Sequence, residues 1–426
     1  MPRPDPAAGP TLRAWAALDL EAAERAAAAA TAAGAAAQRP LAGVPVGIKD
    51  VFATAGLATR AGSALLADRL AVTASDGPAG GGGDAPAVAR LRQAGAVVVG
   101  KTACTELALN DPAPTRNPWD PTRTPGGSSA GSAVAVATGM CLASLDTQTA
   151  GDILRPAAYN GVVGFKPTYG TIPRQGIVPV AWSIDTVGVQ TRRVQDAALL
   201  FAVLAGRPAR GAAAGTVGDP AAWSRPPRLG LVRDPLLDGA DAQAQAATTR
   251  ALAVLGRAGA HTSEVWLDGA LELAHAAHRV VTLCECAAAH AELLDRHAEQ
   301  LGPKARTLLE LGAVTPATGY LRAQRLRRRL AARLQASFQQ HGVDALVTPT
   351  ATGPAPADLS TTGDSLLQLP WTLVGLPAIS LPVGLGETGM PLAVQFIGAL
   401  GADERLLAVA RWCEQVLDID LQPPLA

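Results

Sequence analysis

The residues best suited to chemistry lie between Thr124 and Gly170, with one more at Lys49. The segment begins Thr-Pro-Gly-Gly-Ser-Ser-Ala-Gly-Ser, a glycine turn that enters a run of small residues. Small side chains let backbone approach a ligand closely. A second turn, Thr149-Ala150-Gly151-Asp152, follows. None of its residues is proline, so each keeps its N–H group. The two turns together spell a backbone nest for an anionic carbonyl oxygen, where one donor is worth roughly 2.7–4 kcal/mol in acyl transfer. Ser128 and Ser129 add hydroxyls, and a Ser-Ser pair before a helix also serves as an ordinary N-cap.

Lys49 is marked by scarcity. Of 36 basic residues four are lysine (49, 101, 166 and 304), which leaves 32 arginines. Arginine cannot act as a base, because its pKa stays above ~12. A lysine kept at the end of the apolar run Val44–Ile48 is better explained by chemistry than by solubility. The competing reading is a buried ion pair with Asp50.

Segment 124–170 and Gly43–Asp50 (GVPVGIKD) together resemble the amidase signature family. Its members hydrolyse amides with a Lys, a Ser held on a cis peptide and a second, nucleophilic Ser. The resemblance matches the Lys to Lys49 and the cis Ser to Ser128. It puts the nucleophile 24 residues further on, and 128 + 24 = 152, which is Asp152. It therefore implies that the nucleophilic hydroxyl is absent. Family members usually carry Gly where this chain has Asp146. The resemblance also implies an oxyanion hole from the backbone of Thr149, Ala150 and Gly151, and a substrate site lined by Ser129, Gln148 and Arg155. Arg155 would grip a substrate carboxylate through its bidentate fork; a salt bridge to Asp146 or Asp152 is the other reading.

A carboxylate at 152 changes the physics. It favours a charged Lys49, whereas the family mechanism needs a neutral amine to activate the hydroxyl. It also repels a developing oxyanion. The expectation is an ion pair between Lys49 and Asp152 bridged by Ser128. The function expected is C–N bond hydrolysis by descent, with an inactive homologue that binds a small ligand or a partner protein as the alternative. Activity through Ser128, or through water activated by Asp152, is a further route.

Composition narrows the partners. Acidic and basic side chains number 36 each, which argues against a nucleic-acid or anionic-membrane surface; the basic run Arg322–Arg329 reads as a solvated helix face. No apolar run reaches about 18 residues. Five cysteines without framework spacing suggest buried thiols in a reducing, cytoplasmic compartment. His275, His278, His290 and His297 lack a metalloprotease pattern and read as structural. No metal and no cofactor is expected. The partner expected is a small-molecule amide, with a homodimer left open.

Apolar runs at 44–48, 96–99, 142–145, 228–232 and 344–349 read as strands, and 20–33, 85–94, 132–140, 195–205 and 404–417 as helices. Residues 370–383 and 392–397 complete the sheet. The fold expected is α/β, the amidase-signature fold, with a central mixed β-sheet flanked by helices on both faces. One domain is expected over 1–426, with a connection at 206–227 and a mainly helical layer at 241–341.

Overall fold

The computed structural model describes residues 12–32, 39–66, 83–207 and 225–424. The connection expected at 206–227 falls mostly outside them.

An 11-stranded sheet runs through the described chain. Its strands are β1 (Trp15–Leu18), β2 (Pro45–Lys49), β3 (Val97–Thr102), β4 (Ala143–Gln148), β5 (Val163–Lys166), β6 (Thr186–Thr191), β7 (Arg228–Arg233), β8 (His261–Trp266), β9 (Ala345–Pro349), β10 (Ala378–Leu385) and β11 (Pro391–Ile397). Their spatial order is β1-β3-β2-β4-β6-β5-β10-β11-β9-β7-β8. β2 pairs in parallel with both β3 and β4, and β4 pairs antiparallel with β6, so the sheet is mixed.

The helices are α1 (Leu20–Ala32), α2 (Pro86–Gln93), α3 (Ala130–Ala137), α4 (Leu154–Asn160), α5 (Val194–Leu204), α6 (Ala242–Arg257), α7 (Ala270–Ala289), α8 (Ala291–His297), α9 (Pro303–Ala313), α10 (Ala317–Gln340), α11 (Leu369–Leu373) and α12 (Asp403–Leu417). Period-two alternation sorts the strand side chains onto two faces. Val46, Ile48, Ala143, Leu145, Val187 and Val189 join one core with residues of α2, α5, α6 and α12. The residues between them, including Gly47, Lys49, Ser144, Asp146 and Gln148, take the other phase. α3 packs on β2, β3 and β4, and α4 packs on β5, β10 and β11. α7, α10 and α11 share a further core with Ile153, Leu154 and Ile184.

Segment 241–341 holds helices α6 to α10 and one strand, β8, paired in parallel with β7 at the sheet edge. One expectation needs correction. Segment 370–383 opens as helix α11, not strand: a buried helix and a buried strand both read as a continuous apolar run, and all five residues of α11 are buried. Strands β1, β5 and β6, of 4, 4 and 6 residues, add to those expected.

Candidate active site

Lys49 is the last residue of β2 and is fully buried. Its Nζ lies 2.7 Å from Ser128 Oγ, 3.0 Å from Thr147 Oγ1 and 3.2 Å from the Thr147 carbonyl oxygen. Three oxygen acceptors match the three donors of an ammonium. Lys49 does not pair with Asp50. That carboxylate is taken by Lys101, the residue of β3 one strand over, at 3.1 Å.

Ser128 sits at the mouth of α3, after a cis Gly127–Ser128 peptide. Gly126 has a φ of +82°, and a Cβ there would lie 2.8 Å from Pro156 Cα, so the turn tolerates no side chain. Ser129 occupies the N-cap position of α3, yet its side chain caps nothing. Its N–H donates to the Asp152 carbonyl oxygen at 3.3 Å, and its hydroxyl is buried without a partner.

The 149–152 loop folds back on itself. Asp152 Oδ2 accepts the N–H groups of Thr149 at 2.9 Å and Ala150 at 2.8 Å. Oδ1 accepts the N–H of Ser128 at 3.2 Å. The expected bridge through the Ser128 hydroxyl is therefore corrected: Asp152 reaches Ser128 through its backbone, and Lys49 and Asp152 form no direct ion pair. Burial pushes the Asp152 carboxyl up, but Lys49, Arg155 and the N–H groups of Ala150 and Thr149 outweigh it and hold it below its ordinary value. A side chain at Gly151 would meet Gln368, with Cβ 2.5 Å from its Oε1.

A second carboxyl lies beside Lys49. Asp146 of β4 is fully buried; Ser144 Oγ donates to its Oδ2 at 2.6 Å, and its Oδ1 is without a partner. Burial pushes this carboxyl up, and the charge of Lys49 and the hydrogen bond from Ser144 recover only part of the shift.

Gln148 and Arg155 face inward to the fold. Gln148 Oε1 accepts from the N–H groups of Ile153 (3.0 Å) and Leu154 (3.1 Å), at the start of α4, while Nε2 donates to Thr372 Oγ1 at 2.9 Å. Both ends of its amide are thus engaged within the protein. Arg155 donates from Nη2 to the Gly127 carbonyl oxygen at 2.7 Å and to Thr362 Oγ1 at 3.2 Å. It makes no salt bridge with Asp146 or Asp152; its Nε is buried without a partner.

Two residues outside the expected site, Asp185 and His278, converge on the same loop. Thr149 Oγ1 donates to Asp185 Oδ1 at 2.6 Å, and His278 Nε2 lies 2.8 Å from the Thr149 carbonyl oxygen. His278 is 129 residues from Thr149, so no spacing rule connects them. Among the described residues no group of three His, Cys, Asp or Glu side chains is placed to hold a metal ion, and no helix is long and apolar enough to cross a membrane.

The sequence profile of the Amidase family matches residues 6–407. The chain belongs to the amidase family. It is 34% identical over 462 residues to a glutamyl-tRNA(Gln) amidotransferase subunit from Roseiflexus castenholzii, covering 97% of this chain and 91% of that protein. A crystal structure of an amidase superposes with a TM-score of 0.81 at 36% identity, covering 95% of this chain and 92% of that one. The native peptide amidase from Stenotrophomonas maltophilia gives a TM-score of 0.81 at 32% identity, covering 98% and 92%. The α/β amidase-signature fold, with its mixed sheet flanked by helices, is thus shared with solved relatives at nearly full length.

Proposed function

We propose that this amidase-family chain descends from hydrolases of C–N bonds in small amides, and that Asp152 holds its site shut. Lys49 and Ser128 keep the contact that proton transfer needs, at 2.7 Å. Thr149 and Ala150 present their N–H groups as an oxyanion hole would. The observation that carries the reading is that the Asp152 carboxylate itself accepts both of those N–H groups. It takes the place of a substrate oxygen and supplies no hydroxyl. Its depressed proton affinity also makes it a weak base toward water, which disfavours the route through activated water. Ser129 lines the buried side of the turn, and Gln148 and Arg155 support the loops around the substrate rather than grip it. The substrate is a small-molecule amide and the compartment the cytoplasm; buried thiols at Cys104, Cys141 and Cys413 support the latter.

The test is turnover of a panel of small primary amides by the unmodified chain and by Asp152→Ser. The serine variant should exceed the unmodified chain by at least about 10³-fold, since loss of a nucleophile costs serine hydrolases up to about 10⁶ in kcat. Lys49→Ala in the Asp152→Ser background should remove the gain. Turnover by the unmodified chain together with an inert serine variant would make Asp152 a catalytic carboxylate and overturn the proposal.

A further inference from the structure

A residue of the helical layer, His278 of α7, touches the 149–152 loop from outside. Thr149 has all its polar atoms fixed. Its N–H meets Asp152 at 2.9 Å, its hydroxyl donates to Asp185 at 2.6 Å, and its carbonyl oxygen lies 2.8 Å from His278 Nε2. The carbonyl of Thr149 and the N–H of Ala150 belong to one peptide unit. That unit is planar, and in its trans form C=O and N–H point in opposite directions. A group that grips the oxygen therefore sets the direction of the N–H on the far side. Here the far side is Asp152 Oδ2, 2.8 Å from Ala150 N.

His278 is built to hold that oxygen. It lies on α7 and is buried. Its Nδ1 is 3.3 Å from Thr282 Oγ1, so the hydroxyl can donate to Nδ1 while Nε2–H donates to the carbonyl. Burial lowers its pKa to about 4, which keeps the ring neutral with one N–H to give. Asp185 fixes the same residue from the other side. Its carboxylate also accepts the N–H groups of Val180 at 2.9 Å and Ala181 at 3.0 Å. Glu285, also on α7, takes the Ser183 N–H at 2.8 Å, and His290 lies 2.8 Å from the Pro179 carbonyl oxygen. α7 thus fastens both the 149–152 loop and the segment that braces it.

We infer that His278 is a positioning residue that aims the Ala150 N–H into the nest through the Thr149–Ala150 peptide, with Asp185 bracing Thr149. For catalysis this rests on the reading that the nest receives a substrate carbonyl oxygen. The donated hydrogen bond also polarises the peptide, strengthening the N–H as a donor.

The experiment has two arms. In the unmodified chain, the titration of the Asp152 carboxyl is followed by ¹³C NMR in His278→Leu and His278→Gln. Leucine removes the donor, so Asp152 should titrate at a higher pH than in the parent; glutamine, whose Nε2 reaches the same carbonyl, should return it toward the parent. In the Asp152→Ser background, His278→Leu should lower kcat on a small primary amide by about 10–100-fold, short of the 10²–10³ lost with an oxyanion donor itself. KM should stay within about 3-fold, because the donor acts on the transition state, and glutamine should restore most of kcat. If His278→Leu does not fold, Thr282→Val carries both arms with the same sign and a smaller effect. An unmoved Asp152 titration with kcat also unmoved overturns the inference. If Asp152→Ser is inert, the amidase reading falls, and the titration arm still decides whether His278 aims the N–H.

Discussion

The Asp152 carboxylate accepts the Ala150 amide hydrogen at 2.8 Å, so a side chain from the loop fills the nest that the loop's own backbone forms. Three backbone N–H groups, from Ser128, Thr149 and Ala150, converge on that one carboxylate. The arrangement satisfies the donors and neutralises part of the charge of Lys49 and Arg155. It stabilises this chain with the nest filled by its own carboxylate.

Asp152 should accordingly contribute to stability in a pH-dependent way. Its carboxyl lies below its ordinary value in the fold. A depressed group contributes stability above its unfolded value, about pH 4, and loses that contribution as pH falls through the folded value. Asp152→Asn should therefore be less stable than the unmodified chain at pH 7 by about 1–3 kcal/mol. The gap should shrink as pH falls below about 4. Urea unfolding at both pH values measures it, and a gap independent of pH would refute the assignment.

Asp146 should behave in the opposite sense. Burial raises its carboxyl, and one oxygen has no partner. A raised group contributes its stability below the unfolded value, about pH 4, and loses it as pH rises through the folded value. Asp146→Asn should be the more stable protein at pH 7, by about 1–3 kcal/mol, and the two should converge toward about pH 4. Thermal unfolding across that window decides; a less stable asparagine variant at pH 7 would show that the carboxylate is better compensated than its contacts suggest.

The buried pair beneath the site should be structural. Lys101 Nζ meets Asp50 at 3.1 Å and also donates to the Phe52 carbonyl oxygen and to Thr59 Oγ1. Burial raises Asp50 and lowers Lys101, each against the pull of its partner. Removing one partner leaves a buried charge alone, so Lys101→Met should cost about 3–5 kcal/mol. The double variant Asp50→Asn/Lys101→Met should lose less than the single one. Equal losses would mean that the hydrogen bonds to Phe52 and Thr59, rather than the charge, hold the site together.

The sequence by itself determined the parts that depend on neighbours along the chain. The apolar run before Lys49 fixed a strand with that lysine at its end, and the glycine turn at 126–127 fixed the entry to α3. The turn Thr149-Ala150-Gly151-Asp152 put a carboxylate next to its own N–H groups, because turns are set by a few consecutive residues, and the family resemblance matched that position to the nucleophile. Only the tertiary structure decided which groups these residues meet. Lys101 rather than Lys49 pairs with Asp50 because β3 lies beside β2. Gln148 meets Thr372 across 224 residues of sequence, and Arg155 meets Thr362 across 207. His278 reaches Thr149 only because α7 is laid over the loop. The edge strand β8, with mostly exposed side chains, lacks the apolar alternation that made its neighbours legible. Side chains with several donors and acceptors have many possible partners in a sequence, and packing selects among them, since a buried polar group left unpaired is costly.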